Sequence, residues 1–362
     1  MARVPAHHAA RLRAQQLSGP PASSAVEVAE RLLAVQAQDP RGFRLAVRSR
    51  TSGLTAQDVD RDLEERRLVV SWLNRGTLHL VTAEDYWWLH PLTAPQLRTT
   101  NATRLRQEGV DPEQAARGVD VVTRVLTEGP ATRAALRAHL DAAGVPTARQ
   151  ALVHIVMAAT LQGLAVRGPV IDSEQAFVAP ELWLGPRPAD LDRDEALAQL
   201  ALRYLRGHGP AAPTDLARWA GLPLGQARRG FAAVADRTAA LPAGELVDAV
   251  DLVERVERAE RVDGHRRAPG LPPPRLLGAF DPLLLGWTSR ADTVGSYTGL
   301  VTNNGMFRPF ALVGGRAVGT WNLAGTGAAR QVQVRHLEDL SAAKAAALEA
   351  DGRDVLRFLE GH

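Results

Sequence analysis

The stretch that decides the fold runs from Val119 to Pro180: VDVVTRVLTEG (119–129), TRAALRAHLDAAG (132–144), TARQALVHIVMAATLQG (147–163) and LAVRGPVIDSEQAFVAP (164–180). The first segment reads as a helix stopped by Gly129–Pro130, because glycine closes a helix and proline cannot continue one. Thr132 is placed to N-cap the second helix, which Gly144 ends, and Thr147 to start the third. The last segment reads as two strands around a loop.

The same order of helix, short helix, longer helix and hairpin recurs on either side. Downstream, DEALAQLALRYLRGHGP (194–210) carries Gly209–Pro210 where the first stretch has Gly129–Pro130, and TDLARWAGL (214–222) and LGQARRGFAAVADR (224–237) follow. Upstream, a helix through residues 24–38 precedes TAQDVDRDLEERR (55–67) and the hairpin LVVSWLNRGTLHLV (68–81), which turns at Asn74-Arg75-Gly76. Three helices and a β-wing make a winged helix, so the expected fold is mainly α with β wings, in three tandem units at 10–115, 116–188 and 189–263. A Pro/Gly-rich linker, GHRRAPGLPPP (264–274), leads into a different region at 275–362. There RLLGAFDPLLLGW, FRPFALVGGRAVGTWNL and RQVQVRHL read as strands of a small β-barrel or sheet, with Gly314–Gly315 as a hairpin turn and a closing helix from Ala342.

Composition narrows the chemistry. With 45% hydrophobic residues and no apolar run near the ~20 residues that span a bilayer, the chain reads as a soluble, cytoplasmic globular protein. The first residues, MARVPAHHAARLRAQQL, lack the uninterrupted apolar core of a secretory signal. The absence of cysteine excludes disulfides, thiolate catalysis and Cys-ligated zinc. The ten histidines are scattered apart from His7–His8, so no metal and no cofactor is expected. Net charge is only +3, but the cations are arginines with the sole exception of Lys344. The planar arginine fork binds phosphate bidentately and stacks on bases, which is compatible with nucleic-acid binding.

The stretch LLAVQAQDPRG (32–42) raises a separate question. Ser24 caps a helix with Glu27 reaching back, and Ala29, Leu32 and Leu33 mark its buried face. Gln36 is the next position on that stripe, and Gln38 lies about 200° around an ideal helix from it. Pro40 disfavours helical geometry at Asp39, so the helix should end there and could turn both amides toward one cleft. From spacing alone the glutamines read more readily as caps of the helix end or as bonded to neighbouring backbone, and Asp39 as the cap of the turn before Pro40.

QAQ at 36–38, SWLNRGTLHLV at 71–81, FDPLLLGWTSR at 280–290 and FRPFALVGGRAVGTW at 307–321 come in an order that resembles the AlkZ-type DNA glycosylases, over roughly residues 10–350. Related YcaQ-type bacterial enzymes have Gln–apolar–Asp at the catalytic position; Gln–Ala–Gln matches the AlkZ-type form, with Ala37 smaller than the aliphatic residue often found there. The resemblance implies hydrolysis of the N-glycosidic bond of N7-alkylated purines, including bulky adducts and interstrand crosslinks, in repair or in self-resistance to a genotoxic natural product. It implies Gln36 and Gln38 as catalytic residues and double-stranded DNA as the partner; nothing in the sequence suggests more than a monomer. Arg75 and His79 on a wing, Arg228 and Arg229 on the last helix of the third unit, and Arg266 in the linker are the candidate DNA contacts. Solvated surface explains the same arginines, and cross-strand pairing explains His79. Trp72, Trp87 and Trp88 read as core anchors more readily than as base-stacking platforms, and Asp281 as a residue holding the linker by hydrogen bonds. A Schiff-base lyase needs an amine, and the single lysine is far along the chain, so a monofunctional enzyme is expected. The alternative is a non-catalytic winged-helix regulator reading DNA with its third helices.

Overall fold

The computed structural model describes residues 4–172, 174–189, 191–241, 246–250, 270–302 and 305–361. In chain order these form α1 (Ala6–Ala14), α2 (Ala25–Leu32), β1 (Val35–Gln36), α3 (Pro40–Arg48), α4 (Ala56–Glu64), β2 (Leu68–Leu73), β3 (Thr77–Thr82) and α5 (Ala83–Thr93). Then come α6 (Arg98–Gln107), α7 (Pro112–Glu128), α8 (Arg133–Ala142), α9 (Ala151–Leu161), β4 (Val166–Ile171), β5 (Glu174–Val178), α10 (Pro180–Leu184) and α11 (Arg193–His208). The remainder is α12 (Pro213–Ala220), α13 (Leu224–Ala233), β6 (Thr238–Ala240), β7 (Val247–Ala249), β8 (Arg275–Leu277), α14 (Ala291–Val294), β9 (Phe310–Val313), β10 (Arg316–Ala324), β11 (Gln331–His336) and α15 (Ala342–Glu360). The class is mixed: many helices with small antiparallel sheets. By contacts the chain falls into two compact units, one of residues 1–59 with 197–362 and one of 60–196.

In the 60–196 unit, β3, β2, β4 and β5 lie side by side in that order, all antiparallel. The β2–β3 register runs from Leu68 opposite Thr82 to Leu73 opposite Thr77. The turn between them is Asn74-Arg75-Gly76, where Asn74 has φ 53° and Gly76 φ 81°, left-handed values that asparagine and glycine tolerate best. Helices α7, α8 and α9 carry Val122, Leu126, Leu136, Leu140, Leu152 and Ile155 into the core beside this sheet. Thr132 caps α8 as expected, its hydroxyl accepting from the Ala135 amide. Thr147 does not start α9. Its hydroxyl donates to Asp141 at 2.5 Å, Arg149 takes φ 50°, and the helix begins at Ala151.

In the other unit, β11, β10, β9 and β8 form a four-stranded antiparallel sheet, and β6 pairs with β7. Gly314 and Gly315, at φ 58° and 80°, make the expected tight turn from β9 to β10. Trp321 and Val334 are cross-strand partners, and buried Trp321 donates its indole N–H to the Leu277 carbonyl. Helix α15 packs Leu348, Val355 and Phe358 into this core. The stretch FDPLLLGW is not a strand: β8 ends at Leu277 and Pro282–Leu284 is a single 3-10 turn. Proline supplies no ladder donor at 282, and the Asp281 carboxylate takes the Leu283 amide instead.

Helix α2 also ends earlier than its periodicity suggests. It stops at Leu32, Leu33 takes φ 64°, and Val35–Gln36 is extended. Every residue from Leu32 to Ala37 is buried, which an amphipathic helix with one wet face does not achieve. The α11 backbone packs against this end so closely that a Cβ on Gly207 would sit 2.4 Å from the Arg31 carbonyl oxygen. The cap is as read, with the Ser24 hydroxyl accepting from the Glu27 amide; Glu27 reaches back to Ser23 rather than to Ser24.

Candidate active site

Gln36 and Gln38 stand in the non-helical connection between α2 and α3. Gln36 is buried, Gln38 is exposed, and neither side chain is without a polar partner. The connection is closed by Asp39, which N-caps α3: its Oδ1 accepts from the Gly42 amide at 2.6 Å, and Pro40 occupies the first helical turn, where a missing N–H costs nothing. The expected capping role of Asp39 is therefore the observed one, at the start of the following helix.

What lies under this turn is the loop after β8. A Cβ on Gly42 would meet the Ala279 carbonyl oxygen at 2.4 Å, and one on Gly278 would meet the Leu45 Cβ at 2.9 Å. Backbone thus rests directly on backbone, and only glycine allows it. The loop is pinned by Asp281, fully buried, whose two oxygens each accept from Arg50 at 2.9 Å. Arg50 is fully buried too, and its remaining N–H groups reach the Gln15 carbonyl, the Gln15 side-chain oxygen, the Ala46 carbonyl and the Ser49 hydroxyl. Arg48, two residues nearer the motif, is held by Asp351 and Asp354 of α15 and by the Leu276 carbonyl. The FDP sequence is structural: it is the bed on which the α3 end of the Gln–Ala–Gln turn is fixed. Sequence reading found Asp281 but missed Arg50 and Gln15; one arginine among so many carries no local signal of burial.

Arg228 and Arg229 lie on the exposed face of α13, whose opposite face buries Ala227, Gly230 and Phe231. Gly230 lets that helix approach α11, since a Cβ there would stand 2.5 Å from the Leu197 carbonyl oxygen. Arg266 lies outside the described residues.

In the 60–196 unit, Arg75 is half-buried in the β2–β3 turn with a polar partner. His79 is buried, and Nδ1 lies 2.9 Å from the Thr77 carbonyl, so that nitrogen carries the proton and donates. Burial, reinforced by the nearby Arg75 charge, drops its pKa to about 3. A neutral, buried ring is not placed to meet a phosphate as a cation. Trp72 is buried with the Arg167 guanidinium 5.6 Å from its ring, and Trp88 donates to Asp85; both act as anchors here.

Among the described residues no group of three or more His, Asp or Glu side chains could hold a metal ion, and no helix is long and apolar enough to cross a membrane. The chemistry available at the turn is that of two amide side chains, one buried and one exposed, which donate and accept at once without being strong bases.

A sequence model of the family described as "DNA glycosylase AlkZ-like" matches residues 29–358, and the chain belongs to that family. It is 26% identical over 327 residues to an interstrand DNA cross-link repair glycosylase of Streptomyces sahachiroi, a match covering 86% of each chain. Its fold is that of the solved structure of Streptomyces sahachiroi DNA glycosylase AlkZ, with a TM-score of 0.78 at 24% identity over 98% of this chain and 95% of that one.

Proposed function

We propose that this protein is a monofunctional DNA glycosylase hydrolysing the N-glycosidic bond of N7-alkylated purines, including bulky adducts and interstrand crosslinks. The observation that carries the proposal is the Gln36–Ala37–Gln38 turn, set on non-helical backbone and pinned through Gly42 to the Asp281 loop, in a chain of the AlkZ-like family. Similarity to a relative named for interstrand cross-link repair supports the bulky end of the substrate range.

The chemistry is consistent with so mild a site. Alkylation at N7 makes the purine cationic, so it departs as a neutral base and needs little general-acid help. The enzyme must hold a water beneath C1′ and stabilise an oxocarbenium-like sugar, work that depends on positioning and fixed dipoles rather than on a strong base. Gln36 and Gln38 are assigned that task. Labile cationic lesions react, and normal bases do not. Lys344, the only lysine, lies in α15 and is assigned no part in catalysis, so the product is an intact strand with an abasic site.

We read the three helix-plus-hairpin repeats as tandem winged helices at 10–115, 116–188 and 189–263, with the sheet and α15 as the C-terminal element of 275–362. Arg75, Arg228, Arg229 and Arg266 are proposed as DNA contacts; His79 is assigned to hold the β2–β3 turn.

The test uses an oligonucleotide with one N7-methylguanine and a second with a bulky N7 adduct, each incubated with wild type and with Gln36→Ala/Gln38→Ala. Strand breaks after alkali with wild type alone support the assignment, and breaks without alkali would refute monofunctionality. Intact DNA binding with no base release from either oligonucleotide would establish the regulator instead.

A further inference from the structure

A cavity of about 320 Å³ opens at the edge of the C-terminal sheet, away from any residue assigned above. Its walls include Arg308, Arg335, Ser296, Thr320 and Tyr297, with the fully buried Leu300 also lining it. Thr320 and Arg335 are cross-strand partners on β10 and β11, so they share one face of the sheet. The neighbouring positions Trp321 and Val334 point to the other face, where Trp321 is buried. Gly299 leaves the mouth open, since a Cβ there would meet nothing within 4 Å.

The polar content of this cavity is one-sided. Neither the Arg308 nor the Arg335 side chain makes an ion pair or hydrogen bond among the described residues, although most of the arginines around the Asp281 loop are tied to carboxylates or carbonyls. The Ser296 and Thr320 hydroxyls are likewise unengaged among the described residues. No carboxylate is among the lining residues; the nearby Glu338 is turned to the Tyr297 hydroxyl, which donates to it at 3.0 Å. Arg316, close enough to act on Tyr297, adds a third positive charge at this end of the sheet. Arg308, Arg335 and Ser296 are exposed, so the two guanidiniums reach solvent, and together with two hydroxyl donors lining the same cavity they suit a tetrahedral oxyanion.

We infer that the cavity lined by Arg308, Arg335, Ser296 and Thr320 is a phosphate-binding site that grips a phosphodiester of the DNA strand outside the glycosylase centre. The inference rests on the reading of the chain as a DNA-acting enzyme and adds an anchor on the C-terminal element, where none of the motif-derived contacts lie. Ser296 and Thr320 donate to the phosphate oxygens between the two guanidiniums. Tyr297 and Leu300 shape the wall without contributing charge. A contact of this kind fixes register on the duplex and reads no sequence.

The experiment measures affinity for an undamaged 20-base-pair duplex across a salt series, for wild type, Arg308→Ala/Arg335→Ala, and a control Arg117→Ala/Arg353→Ala that removes the same charge from exposed positions on α7 and α15. Loss of one phosphate contact lowers the slope of log affinity against log salt by about 0.9, and the cavity variant is expected to show this with about tenfold weaker binding at 0.1 M salt. The control should keep the wild-type slope, and unchanged circular dichroism and melting verify that the cavity variant is folded. The same slope in cavity variant and wild type, or an equal fall in the control, overturns the inference. A wild type with no duplex affinity overturns it along with the DNA-acting reading, and is recognised because it appears before any substitution. Titration with deoxyadenosine monophosphate separates the source: saturable binding lost in the cavity variant, with duplex binding untouched, makes the cavity a free-nucleotide site and refutes the backbone grip.

Discussion

Removing the Asp281 carboxylate tests the idea that the motif-bearing end of α3 is fixed from beneath. Both Asp281 and Arg50 are fully buried, and two bonds of 2.9 Å join them. Asp281→Ala leaves the guanidinium charge in the interior with only neutral acceptors, a change that costs about 3–5 kcal/mol. It also releases the Leu283 amide, which Asp281 accepts at 2.9 Å, adding roughly 1 kcal/mol. With a urea m-value of about 3 kcal/mol/M, the unfolding midpoint should fall by roughly 1–2 M. The assay is urea unfolding followed by tryptophan fluorescence, since Trp219, Trp287 and Trp321 all lie in the same unit as the pair. Arg50→Met should cost a similar amount. The double variant Arg50→Met/Asp281→Leu removes both charges and should cost clearly less than the sum, with a coupling of at least ~2 kcal/mol. A single-variant loss under ~1 kcal/mol, or strict additivity in the double variant, would show that the pair does not hold the loop.

Three shorter predictions follow from the same geometry. Gly42→Ala puts a methyl group 2.4 Å from the Ala279 carbonyl oxygen, so it should destabilise the protein by about 1–3 kcal/mol and reduce base release as the turn shifts; wild-type stability in urea would contradict the close approach. His79 has its pKa dropped to about 3 from 6.5, so between those values the unfolded chain takes up a proton that the folded chain refuses. Its contribution is whole above pH 6.5 and is lost as pH falls toward 3, by on the order of 1 kcal/mol per pH unit, and His79→Gln should flatten that stretch of the stability–pH curve. Arg228→Ala/Arg229→Ala should lower the salt slope of duplex binding by about 1–2 without shifting the urea midpoint, because both side chains lie on the exposed face of α13; an unchanged slope would remove that face from the DNA interface.

Local chemistry written into the sequence was enough to place many of the elements. Thr132 caps α8, Gly314–Gly315 turns β9 into β10, and Asn74-Arg75-Gly76 turns β2 into β3, because each of these depends on groups a few residues apart. The Gln–Ala–Gln motif was legible as an oddity for the same reason: a polar amide, Gln36, continues an apolar stripe. What the sequence by itself could not determine is where α2 stops and what lies beneath the motif. Periodicity continues the helix to Asp39, yet α11 packs against its end at Leu32 and Leu33 turns the chain into extended backbone there. Asp281 was visible as a motif residue, but its partner Arg50 lies 231 positions away along the chain, and only folding brings them together. The cavity at Arg308 and Arg335 has the same origin. Each arginine looks ordinary in its own stretch of sequence, and the two share one cavity, with no carboxylate lining it, only because folding brings the segment before β9 beside β11. Capping, turns and the Gln–Ala–Gln motif are short-range and therefore readable; helix termination by a neighbour, burial of an ion pair and the gathering of like charges are long-range, and tertiary structure alone decides them.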